Sequence, residues 1–68
     1  MTYAELIAKL EAAEKATGLY LSDKSVDEQN AGPDATDSKL FAVAANAAGQ
    51  RAEAAGKDIN ELVGASIY

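Results

Sequence analysis

The eleven residues Leu40 to Gln50, LFAVAANAAGQ, carry no charge in a chain of which 25% is charged. The run continues through Arg51, Ala52, Glu53, Ala54 and Ala55, so eight of the fourteen residues from 42 to 55 are alanine. Alanine is the strongest helix former, because it has no side-chain rotamers to lose. On a helical wheel Leu40, Phe41, Ala44, Ala45, Ala48, Ala52 and Ala55 share one face, and Lys39, Asn46, Gln50, Glu53 and Lys57 share the other. Pro33, Asp34, Thr36 and Asp37 suit a helix start, and Gly56 suits a stop. The pattern predicts a helix over about 35–55. Its apolar face loses bulk towards the C-terminal half, so it must lie close against another part of the chain, a second copy or a partner.

Working outward, Tyr3, Leu6, Ile7 and Leu10 recur at the spacing of one helical face, with Ala13 and Thr17 continuing it. Thr2 and Glu5 form the pattern of a capping box, and Met1 is placed to staple onto Leu6. Glu5 with Lys9 and Glu11 with Lys15 are i,i+4 pairs, each contributing about 0.2–0.5 kcal/mol. A first helix over about 2–17 follows, stopped by Gly18. After the central helix, Asp58 is a good cap, Glu61 supports it, and Ile59, Leu62, Val63 and Ile67 share a face. These residues predict a short third helix over about 58–67, weakened at Gly64. Between the first two helices, 22–36 is dense in turn formers and carries Asp23, Asp27, Glu28 and Asp34 against Lys24. It reads as a mobile acidic loop in which Ser25 to Glu28 cap one helical turn with Val26 pointing inward. The expected class is therefore all-α, a small three-helix domain occupying residues 1–68 as one unit.

Composition narrows the function classes. The chain is 49% apolar by residue type, but about half of those residues are alanine. A core this thin rarely supplies more than roughly 3–5 kcal/mol, and no cysteine is present to cross-link it. The net charge of −5 argues against nucleic acid and anionic membranes, whose affinity comes from Lys and Arg. The charge-free run is too short to span a bilayer, which needs about 18 apolar residues. The acidic N-terminus lacks the basic start of a signal peptide, so a cytoplasmic location, or a particle assembled in the cytoplasm, is expected.

Chemistry finds few footholds. Histidine and cysteine are absent, which removes the commonest general base and the strongest nucleophile. Ser38 and Lys39 are helix neighbours that do not face each other. The five glycines are isolated and form no phosphate loop. Asp23, Asp27 and Glu28 lack the spacing of a calcium loop. No catalytic residue, metal or cofactor is expected.

What remains is contact with another protein or with a second copy, as an accessory or assembly subunit or as a regulatory or inhibitory binder, a class that includes virus-encoded chains. The candidate contact residues are Phe41, Ala44, Ala45, Ala48, Arg51 and Ala52 on the central helix, with Asp27 and Glu28 in the acidic loop. Small residues at four-residue intervals allow close backbone approach, whether to the chain's own helices or to another molecule. Arg51, the one arginine, falls on the apolar side, where its planar fork would suit a partner's carboxylate or phosphate, or an acid of this chain. Tyr3, Tyr20 and Tyr68 are candidate interface anchors or rim residues.

Thr36-Asp37-Ser38-Lys39-Leu40 resembles the Asp-Ser-Leu motif of acyl carrier proteins, which are also small, acidic and helical with a long first loop. The resemblance covers Asp37 and Ser38, and implies a phosphopantetheine arm on Ser38. Lys39 stands where that family has a bulky apolar residue, and the charge-free run replaces its acidic recognition helix.

Overall fold

Four helices form in the computed structural model, which describes residues 1–67: α1 (Tyr3–Thr17), α2 (Lys24–Ala31), α3 (Asp37–Ala54) and α4 (Ile59–Val63). The described residues contain no strand. Each helix is started by a local side chain. Thr2 Oγ1 accepts from the Glu5 amide at 3.2 Å while the Glu5 carboxylate accepts from the Thr2 amide at 3.1 Å, closing the expected capping box. Asp23, Thr36 and Asp58 cap α2, α3 and α4 in the same sense. Met1, expected to staple α1, stays 52% exposed.

The C-terminal ends of α3 and α4 share one device. Gly56 takes φ 73° after α3, while the Lys57 amide reaches back to Ala52 O at 2.9 Å and the Gly56 amide to Glu53 O at 2.9 Å. Gly64 takes φ 67°, with the Ala65 and Gly64 amides donating to Asn60 O and Glu61 O. These are Schellman turns, in which a left-handed residue lets the chain satisfy its last carbonyls.

α1 and α2 both rest on α3, and α4 packs against α1 and α3. The core joins Tyr3, Leu6, Ile7, Leu10 and Ala13 of α1 to Ala44, Ala45, Ala48 and Ala52 of α3, with Leu21, Ile59 and Ile67 closing it. Leu6, Leu10, Leu21, Ala48 and Ala52 are all inaccessible to solvent. Burying each of the leucines contributes on the order of 1.5–3 kcal/mol. The large side chains of α1 thus fill the shallow face of α3. The Cα radius of gyration is 11.1 Å, against about 11 Å for a folded chain of this length, as expected of a compact domain.

The all-α class stands, with two corrections to the predicted elements. The stretch 22–36 is not a loop throughout: α2 occupies its centre, started by Asp23 rather than by Ser25. Its turn-forming composition hid it, because α2 buries a carboxylate, Asp27, where periodicity looks for an apolar residue. The helix predicted over 58–67 ends at Val63, because Gly64 adopts the left-handed stop. Ile67 is nonetheless buried, held by its amide donating to Asn60 Oδ1 at 3.0 Å.

Candidate functional site

The connection between α1 and α2 is held from both sides. Glu14, near the end of α1, accepts from the Leu21 amide at 2.8 Å and the Ser22 amide at 3.1 Å through Oε2, and from the Ser22 hydroxyl at 2.7 Å through Oε1. From the opposite side Arg51 of α3 donates through one guanidinium nitrogen to Leu21 O at 3.0 Å. The buried Leu21 side chain pins the middle. The residue before it, Tyr20, is thereby turned outwards.

Tyr20 is 56% exposed, yet it is fixed at both ends. The Arg51 guanidinium carbon lies 4.4 Å from the ring centroid, within cation–π range. The Tyr20 hydroxyl donates to Asp23 Oδ2 at 2.8 Å, while Asp23 Oδ1 caps α2 through the Val26 amide at 3.2 Å. Leu19, Tyr20, Arg51, Ala54 and Ala55 together line a shallow open ledge at the C-terminal end of α3. The hydrogen bond to Asp23 raises the Tyr20 pKa, and the same bond, with the Val26 amide, lowers that of Asp23. Burial opposes ionisation of Glu14, but hydrogen bonds from Leu21 and Ser22 outweigh it, with the Arg51 charge assisting, and its pKa falls below 4.5.

Behind the ledge lies Asp27, 1% exposed. Its Oδ2 accepts from the Tyr3 hydroxyl at 3.1 Å, and no group of the described residues donates to Oδ1. Burial raises the Asp27 pKa. Burial, then the Asp27 charge and hydrogen bond, push the Tyr3 phenol up to about 12.

The predicted contact residues therefore scatter. Ala44, Ala45, Ala48 and Ala52 lie in the chain's own core and are not available to a partner. Asp27 is likewise inside, whereas Phe41 is half-buried against the core and Glu28 is exposed. Arg51 belongs to the ledge, where it meets a carbonyl and an aromatic ring of its own chain. Of the tyrosines, Tyr3 is buried, Tyr20 is exposed, and Tyr68 lies outside the described residues. Ser38 and Lys39 are exposed on the first turn of α3. Tyr20 and Arg51 lie 31 residues apart, so no local pattern announces their contact; the three-residue step from Tyr20 to Asp23 is the one local signal.

Among the described residues no group of three or more acidic side chains could hold a metal ion, and no helix is long and apolar enough to cross a membrane. Comparison with protein-family models, curated proteins and solved structures finds no match.

Proposed function

We propose that this chain acts without catalysis, as an accessory subunit or regulatory binder, by docking its Tyr20–Arg51 ledge on a separate protein. The observation that carries this reading is a large aromatic that is more than half exposed and yet held in place by contacts to Asp23 and Arg51. A side chain already fixed loses little entropy on binding, and Tyr and Arg are the residue types that most often anchor interfaces. Leu19, Ala54 and Ala55 add apolar surface low enough for a protruding side chain to seat beside the ring. The net charge of −5 opposes a second copy and favours a partner with a basic surface.

Capture from the native source on immobilised wild-type chain, Tyr20→Ala and Met1→Ala, read by mass spectrometry, tests this reading. A protein held by wild type and Met1→Ala but lost with Tyr20→Ala supports the ledge, and raising salt should weaken its capture. A partner held equally by all three chains removes the ledge as the contact. Sedimentation that changes across a tenfold concentration range would turn the reading to self-association.

A second reading, an arm carried on Ser38, is favoured by the exposure of that hydroxyl on the first turn of α3.

A further inference from the structure

α2 is attached in an unusual way. Its sequence, KSVDEQNA, offers one apolar side chain of any size, Val26, and that residue is only half-buried. The fully buried residue is Asp27. The helix rests on α3, and its link to α1 is the Tyr3 hydroxyl bond to Asp27 Oδ2. α2 brings little apolar surface of its own to this contact, and elements so composed lie towards the low end of the free-energy cost of opening.

Groups from three elements face Asp27. From α1 comes Tyr3, an uncharged donor whose own amide is directed to Asp37 Oδ2 at the head of α3. From α3 comes the positive charge of Arg51, which favours the carboxylate but is committed to Leu21 O and the Tyr20 ring. From the α2 segment itself come Asp23 and Glu28, both acidic, which oppose it. Among the described residues, an ionised Asp27 therefore has one neutral hydrogen bond on Oδ2 and no donor to Oδ1. Such a charge recovers its solvation only if water reaches it, and the route is displacement of α2. A neutral Asp27 keeps the Tyr3 bond and leaves an uncharged hydroxyl inside, at smaller cost than a buried charge.

We propose that α2 is a pH-gated flap, seated on α3 when Asp27 is protonated and loosened when Asp27 is ionised. The sign is opposite to that of Glu14. An acid whose folded pKa is raised supplies stability at low pH, and that stability is lost as pH rises from the unfolded value through the folded one.

Nuclear magnetic resonance titration of the full wild-type chain reads this directly. The Asp27 side-chain carboxyl carbon should titrate with a midpoint above the ordinary 3.8. The amides of α2 should move with the same midpoint, while those of Leu6 to Leu10 stay still. In Asp27→Asn, which mimics the neutral acid, the α2 amides should hold their acid-form positions across the pH range, and Tm near neutral pH should exceed that of wild type. A midpoint at or below 3.8, or α2 amides that do not follow Asp27, overturns the proposal. So does an Asp27→Asn chain that folds with α1 and α3 intact yet is no more stable than wild type near neutral pH. The wild-type titration decides the matter if the variant folds poorly.

Discussion

Arg51 holds Leu21 and Tyr20 at once, the first by a hydrogen bond of 3.0 Å to its carbonyl and the second by a guanidinium 4.4 Å from the ring centre. Only a planar, forked cation makes both contacts in this geometry. Arg51→Ala should cost about 1–2 kcal/mol in urea unfolding, from the lost hydrogen bond and ring contact together. Arg51→Lys keeps the charge and loses the fork, and should recover less than half of that. Full recovery by lysine would reduce the contact to simple charge attraction.

Ala48 is inaccessible to solvent and belongs to the same core cluster as the leucines of α1. Ala48→Leu adds volume where none is free, and should destabilise the fold by about 1–3 kcal/mol without altering its sedimentation. Ala42→Leu, on the exposed side of the same helix, should change stability by no more than about 0.5 kcal/mol. Similar costs at the two positions would contradict the internal placement of the alanine face.

Glu14 accepts three hydrogen bonds from Leu21 and Ser22. Because its folded pKa is depressed, the stability it provides is present above about 4.5 and lost as pH falls through the folded value. Glu14→Gln should lower stability near neutral pH by about 1–3 kcal/mol. Thermal melts of wild type and variant should converge as pH drops below 4.5. Parallel pH profiles would show that the carboxylate charge is not what holds the connection.

Incubation with a phosphopantetheinyl transferase and its coenzyme donor should leave the mass of the chain unchanged. A mass gain located to Ser38 would replace the contact reading with that of a carrier.

How far the residues alone led depends on the range over which each interaction acts. The caps at Thr2, Thr36 and Asp58 act over two or three residues and are legible in order along the chain. The stripe Tyr3, Leu6, Ile7, Leu10 and Ala13 is legible for the same reason, since one helix carries it. The alanine periodicity of α3 announces a face but not its cover, which comes from α1 and α2, both earlier in the chain. Asp27 is hidden for a different reason. A carboxylate on the buried side inverts the rule that assigns apolar positions to the inside, so α2 vanishes into a stretch of turn formers. Tyr20 and Arg51 are each visible as unusual residues, but their meeting is a product of the tertiary fold.

The local helix starts bear on how this chain reaches its shape. Thr2, Asp23, Thr36 and Asp58 each satisfy an amide two or three residues ahead, and none needs a group from elsewhere in the chain. Nucleation is the costly step of helix formation, and here it is helped before any long-range contact exists. The help is greatest for α1 and α3, the two long helices, whereas α2 and α4 are too short to hold together without tertiary contacts. Proteins so dominated by local order fold in microseconds to milliseconds.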